Sequence, residues 1–300
     1  MAAVLNSNVA SLWASKNLQG AQSKMADSVE RLSSGLRINR ARDDAAGLGI
    51  ANALTSQING ANQGVRNLND GISLVQTAEG AIAAAQEMAQ RVLTLATQGA
   101  NDTLGDADRN AIRSEMRQLM TAVDSIAGRT KYSGISVLNA TAISLQSSNI
   151  TTDVITVSAA ALAKIGVGAV TGTAGYAVID GTYAGGSTTG SALMTKINDN
   201  ADDALDATTM NAIATAADAY ITALSTQRGL LGAAQNQIEY TVNNVNELSS
   251  NLSAARSNVQ DTDYASETAS LTKGQILQQA ATAMLAQANQ MPNVILSLLK

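Results

Sequence analysis

The sequence predicts a mainly α protein. It reads as a long antiparallel coiled-coil helical bundle with a small β-hairpin region, whose terminal helices pair into a second coiled coil. Three observations carry this expectation. Two heptad seams of similar length lie far apart in the chain. Both termini carry amphipathic stripes that their own segments cannot bury. The composition also suits long packed helices. Only 2% of the 300 residues are aromatic, there is no Phe and a single Pro, and the apolar share of 45% is largely Ala with Leu, Ile, Val and Met.

The same composition excludes several functions. No Cys means no disulfide framework and no thiolate metal site. No His removes the usual zinc ligand, the usual general base and the usual triad member. Few aromatics argue against base-stacking platforms, and a net charge of −5 argues against broad phosphate binding. No nucleic-acid partner is expected. The longest apolar-rich run, residues 294–299, falls far below the ~20 residues of a membrane span, so no membrane insertion is expected. The first residues lack an early Lys or Arg, and Asn6, Ser7, Asn8 and Ser11 interrupt any apolar core, so no cleaved signal is expected.

In chain order, residues 1–42 carry Lys16, Lys24, Arg31, Arg37, Arg40 and Arg42 against Asp27 and Glu30. Their apolar positions are Leu5, Val9, Leu12, Leu18, Met25, Val29, Leu32 and Leu36. The first seam steps alternately by four and three through Leu54, Ile58, Ala61, Val65, Leu68, Ile72, Val75, Glu79, Ile82, Gln86, Ala89, Leu93 and Ala96. Gly60, Gly64, Gly71 and Gly80 each lower helix propensity by roughly 1 kcal/mol, so tertiary packing must hold this helix. Gly99 and Asn101 are its expected end. A shorter seam follows at Ile112, Met116, Leu119, Val123 and Ile126. Asp106 and Asp108 sit in its first turn and Gly128 is its expected stop.

Between Tyr132 and Ser158 the pattern turns to short strands and hairpins. From Gly166 to Asn200, Gly, Ser and Thr predict surface loop. Asp199, Asp202, Asp203 and Asp206 read as an acidic helix start rather than a cation site. The second long seam then runs through Met210, Ile213, Ala217, Tyr220, Leu224, Gln227, Leu231, Ala234, Ile238, Thr241, Val245, Leu248, Leu252, Ala255 and Val259. The last stripe is Leu277, Ala281, Met284, Ala288, Met291, Ile295 and Leu298. Pro292 should kink or interrupt its helix. Asp43-Asp44 and Asp261-Thr262-Asp263 read as caps at helix junctions rather than paired catalytic carboxylates.

Two ends with unsatisfied apolar stripes suit an assembly subunit. A membrane-surface amphipath and a soluble coiled-coil adaptor are the alternatives that this pattern leaves open.

Particular runs of residues then resemble a known family. They include Glu30-Arg31-Leu32-Ser33-Ser34-Gly35-Leu36-Arg37-Ile38-Asn39, Asp43-Asp44-Ala45-Ala46-Gly47, Asn69-Asp70-Gly71-Ile72-Ser73 and Gln76-Thr77-Ala78-Glu79-Gly80-Ala81. Near the other end they include residues 261–267, Gln275-Ile276-Leu277-Gln278-Gln279-Ala280, Leu285-Ala286-Gln287-Ala288-Asn289-Gln290 and Leu296-Ser297-Leu298-Leu299. This set, spread over roughly residues 1–140 and 205–300, resembles bacterial flagellin. The resemblance implies a structural subunit that self-assembles into the helical flagellar filament for motility. The hook–filament junction protein and a cell-surface binding module are the alternative readings.

The resemblance also implies an organisation. Residues 1–42 with 261–300 would form the inner coiled-coil domain, 43–140 with 205–260 the helical bundle, and 141–204 variable surface loops with a small β region. It implies type III export without a cleaved signal, to an extracellular filament. The implied partners are other copies in an open helical array, an export chaperone, a filament cap and hook-junction proteins. Arg91, Leu95 and Glu115 resemble a surface read by a Toll-like immune receptor. Leu93 and Thr94 depart from that pattern and remove a cationic and an anionic contact, so weak activation is expected. No enzymatic role, cofactor or metal is expected. The metalloprotease insertion of some flagellins needs His, which this chain lacks.

Overall fold

Every heptad in the chain lies on a helix. The computed structural model describes residues 8–165, 192–194, 196–197 and 206–298, with side chains described as far as residue 290. Helix α1 spans Val9–Ser34, α2 Ala45–Gly99, α3 Asp106–Arg129, α4 Ala207–Gln260 and α5 Tyr264–Leu298. Two small antiparallel sheets interrupt them: β1 (Lys131–Tyr132) with β2 (Ile135–Ser136), and β3 (Ile143–Gln146) with β4 (Val154–Val157). The chain forms two compact units. One comprises residues 1–58 with 250–300, the other residues 59–249.

In the second unit, α2 and α4 run antiparallel. The pairings Asn62 with Ser249, Glu79 with Arg228 and Gln86 with Ser225 have nearly constant index sums, as an antiparallel pair requires. Leu68, Val75, Ile82, Ala89 and Ala96 from one seam are buried with Ile213, Tyr220, Leu224, Leu231 and Ile238 from the other. Leu248 departs from its seam position. It is 45% exposed, while Val245 three residues earlier is buried.

α2 buries a second face that its heptad does not mark. Gly64, Gly71, Leu74, Ala78, Ala85, Val92, Leu95 and Gly99 lie between the seam positions and are also buried. The glycines have a packing reason. A Cβ at Gly60 would lie 2.6 Å from the Asn149 Cβ, one at Gly64 would run into the Ser147 carbonyl, and one at Gly71 would meet Leu145. The β3–β4 hairpin therefore rests directly on the α2 backbone, and Asn67 Nδ2 donates to the Gln146 carbonyl at 3.1 Å. Gly80 has open space around it and no such reason. The tight β1–β2 turn uses two left-handed residues, Ser133 (φ 50°) and Gly134 (φ 83°), as a two-residue hairpin prefers.

The central segment is less peripheral than its composition predicts. Ile155, Val157, Ala161, Leu162 and Ile165 join the main core. Residues 192–194 and 196–197 are helical, and Leu193 and Ile197 are fully buried in that core, which corrects the surface-loop reading there. The rest of that expected loop, with Asp199, Asp202 and Asp203, lies outside the described residues. Polar groups of α3 and α4 hold this segment down. Gln227 Nε2 donates to the carbonyls of Ala161 and Ala163, at 3.1 and 2.7 Å. Tyr220 Oη donates to the Ile165 carbonyl at 2.6 Å. Burial pushes the Tyr220 phenol far above its ordinary range, and the Asp124 charge adds to the shift, so it stays a donor.

α3 is buried by Arg109, Arg113, Met116, Met120, Val123 and Ala127. Of its expected seam, Met116 and Val123 are fully buried, while Ile112, Leu119 and Ile126 are half-buried. Arg109 donates from Nε to the Gly99 carbonyl (3.1 Å) and from a terminal nitrogen to the Asn101 carbonyl (3.0 Å), capping the last turn of α2. α3 ends at Arg129 rather than at Gly128, with the Thr130 N–H closing onto the Ile126 carbonyl.

Candidate assembly surface

The first unit is built on α1 and α5, which run antiparallel. Asn8 bonds the Ala288 carbonyl, Arg31 pairs with Glu267 at 3.7 Å, and Leu36 bridges Asp261. The seam between them is made of small residues. Ala14, Ala21 and Ser28 are the buried positions of α1. Gly274, Ala281 and Ala288 are those described in α5. Each set repeats every seven residues. A Cβ at Gly274 would touch the Met25 Cβ at 3.5 Å, so the two helices approach closely there.

This close seam leaves the larger apolar side chains outside. Leu12 is 71% exposed and Met284 66%, and Val9, Val29, Leu277 and Ile276 are also exposed. Leu18, Met25, Leu32 and Leu36 are half-buried. Leu5 and the side chains of Met291, Ile295 and Leu298 lie outside the described residues. Trp13 is exposed beside Leu12, with the Lys16 ammonium 5.8 Å from its ring centre. The exposed side of α5 carries an apolar groove lined by Tyr264, Thr268, Lys273, Ile276 and Leu277.

The junctions of this unit are capped. Gly35 ends α1 in the left-handed conformation (φ 70°), its N–H bonded to the Arg31 carbonyl. Arg37 N–H donates to the Gln260 carbonyl and Thr262 N–H to the Gly35 carbonyl. Asp44 Oδ1 accepts from Gly47 N–H at the start of α2, and Asp263 Oδ1 from Ala265 N–H at the start of α5. Asp43 accepts from the Arg40 and Asn39 N–H groups, which, with the nearby Arg42 charge, hold its carboxyl below the usual value. These carboxylates cap helices and turns, as their sequence positions predict. Arg31, Arg40 and Arg42 pair with Glu267, Glu30 and Asp27, so these cations of the basic segment already face acids. Among the described residues no group of three or more acidic side chains converges on a metal position.

Along the seams of α2 and α4, Ile58, Leu68, Leu224, Leu231 and Ile238 are buried, while Leu54, Val65, Ile72, Leu93 and Leu252 are half-buried. Ile58 and Leu54 belong to the first unit's share of α2, and Leu252 to its share of α4. Of the three residues expected on an immune-receptor surface, Arg91 and Glu115 are exposed and paired at 2.8 Å. Leu95 is only 2% exposed. Its side chain packs in the core and offers no contact area, which corrects that expectation.

The sequence marks the apolar stripes of the terminal helices without deciding which residues pair with the other helix and which face other copies. Of the small-residue positions that make the seam, it marks Ala281 and Ala288 within the last stripe but not Ala14, Ala21, Ser28 or Gly274. Their seven-residue spacing was the available signal, masked by the larger neighbours.

A helical protein with capped junctions and large apolar side chains left exposed on paired terminal helices belongs to the class of structural assembly subunits. Comparison with known proteins makes this specific. Residues 5–142 match the bacterial flagellin N-terminal helical region and residues 214–299 the bacterial flagellin C-terminal helical region. Flagellin of Bacillus subtilis (strain 168) is 39% identical over 99% of both chains. The flagellar filament 33 kDa core protein of Treponema phagedenis is 36% identical over 99% of this chain and 100% of that one. The crystal structure of Bacillus cereus flagellin aligns with 64% of this chain and 94% of that chain, at 25% identity and a TM-score of 0.44. The chain belongs to the bacterial flagellin family, the structural subunits of the flagellar filament. Among the described residues, no helix is long and apolar enough to cross a membrane.

Proposed function

We propose that this chain polymerises through the outer faces of its two terminal helices. Residues 1–42 with 261–300 form the inner domain of the filament and 43–140 with 205–260 the helical bundle, into whose core part of 141–204 packs. The observation that carries this reading is the exposure of Val9, Leu12, Val29, Leu277 and Met284 after α1 and α5 have already paired. Large apolar side chains left in water on both helices favour burial against further copies. A heterologous contact that does not close on itself generates an open helix.

The chain's work is structural rather than catalytic. The chain reaches the extracellular filament by type III export. An export chaperone, a filament cap and hook-junction proteins are the further partners. Arg91 and Glu115 form the exposed part of a weakly recognised immune-receptor surface.

The test is seeded elongation followed by electron microscopy, with Leu12→Gln and Met284→Gln compared with the unaltered chain. Both variants keep the small-residue seam. Short or absent filaments from soluble variants of normal helicity support the reading. Elongation at the unaltered rate by both variants rejects it.

A further inference from the structure

Pro292 lies within α5, and the helix runs through it to Leu298. Proline has no N–H for the carbonyl four residues earlier, which belongs to Ala288. That carbonyl is nevertheless satisfied. The Asn8 side-chain amide donates to it from Nδ2 at 2.7 Å. The other end of the same amide caps α1, with Oδ1 accepting from Ser11 N–H at 3.1 Å. The two bonds require opposite ends of the amide, so together they fix its orientation. Ser11 Oγ adds a neighbouring link to Asn289 Oδ1 at 3.0 Å.

We propose that Asn8 and Pro292 form a register clip for the terminal helix pair. The small-residue seam repeats every seven residues on both helices, so it fits nearly as well after a slip of one heptad. At the loop end, the Leu36–Asp261 bridge opposes such a slip. At the other end the clip does so. Proline frees one backbone acceptor at one position, and only the native register brings the cap of α1 onto it. Asn is the residue that serves both bonds. Ser or Asp at position 8 would cap α1, but Ser is too short to span to the carbonyl and Asp has no donor.

The inference concerns the state in which α1 and α5 are paired, and it rests on the assembly reading for where that state functions. The experiment uses the full-length chain with N8S, P292A and the double variant. Amide exchange across residues 11–16 and 284–291 is measured in filaments where they form and in the free chain where they do not. N8S is expected to lower protection about three- to tenfold, the worth of one net hydrogen bond. In the P292A background the restored N–H closes onto the Ala288 carbonyl, and N8S should then change protection by less than about twofold. Equal losses in both backgrounds would reduce Asn8 to a simple cap and overturn the clip. So would no loss in either, or no protection at residues 11–16 in the unaltered chain. Failure of the unaltered chain to elongate seeds rejects the assembly reading instead, and the exchange comparison still decides the clip.

Discussion

Gly64 and Gly80 have the same residue type on the same helix and opposite environments. At Gly64 an added Cβ meets the Ser147 carbonyl, which is backbone and cannot swing aside. Gly64→Ala must lift the β3–β4 hairpin off α2 and should cost about 1–3 kcal/mol, as overpacking does. Gly80→Ala meets nothing and should stabilise the chain by up to ~1 kcal/mol through helix propensity. Denaturant unfolding of the two variants checks both signs. Asp206 gives a residue-scale pH dependence. The Thr209 N–H and hydroxyl bond its carboxylate and hold its pKa below the ordinary 3.8. A carboxyl lowered in the folded state contributes stability above its unfolded value and loses it as pH falls through the folded one. The first turn of α4 should therefore fray as acid is added below about pH 4. Asp206→Asn keeps a cap acceptor and should abolish that dependence, as read by amide chemical shifts of residues 207–210.

At the scale of elements, polar residues placed at seam positions turn out to be connectors. Glu79 and Gln86 interrupt the α2 heptad, and Arg228 bonds both from α4. Glu79 and Arg228 are each partly exposed, at 39% and 41% of their side chains, so the ion pair adds at most ~1 kcal/mol after solvent screening. Its geometry does more for alignment than for stability. Gln227 interrupts the α4 heptad and is buried, with both partner carbonyls in residues 161–163. Gln227→Leu fills similar space but leaves those two acceptors unpaired. It should cost about 1–3 kcal/mol by thermal unfolding, more than a surface glutamine would. In the terminal pair the size of the seam is the control. Ala21→Leu would force α1 and α5 apart where Gly274 lets them approach. The expected outcome is loss of protected amides in both helices, while residues 68–138 keep theirs.

For the whole molecule, the main core, among the described residues, draws on the 59–249 unit alone. Removal of residues 1–42 and 261–300 should therefore leave a cooperative unfolding transition with near-normal helicity of the remaining helices. The same chain should fail to elongate seeds. Circular dichroism and electron microscopy on one preparation test the two halves of this statement together. Persistent filament growth by the shortened chain would move assembly away from the terminal helices.

The sequence by itself determined where the five long helices of the described residues lie. A heptad over Leu54–Ala96 predicts a helix observed from Ala45 to Gly99, and one over Met210–Val259 a helix observed from Ala207 to Gln260. Periodicity is a local signal, repeated many times, and needs no knowledge of partners. The caps at Asp44, Asp206 and Asp263 were legible for the same reason. Which face meets which neighbour was decided only in the tertiary structure. Gly60, Gly64 and Gly71 read as helix weaknesses until the hairpin lies on them. Nothing in the sequence marks Arg109 and Arg113 as buried; the α2 turn and Ile197 supply the carbonyls that they bond. Pro292 reads as a break until Asn8, far away in sequence, takes the carbonyl that it frees. The terminal stripes mix large and small residues and leave open which meet the other helix, yet the chain pairs through its smallest ones and leaves the large ones outward. Side-chain size favours either arrangement. Close backbone approach at the alanines and Gly274 selects between them, and that is a property of two helices together.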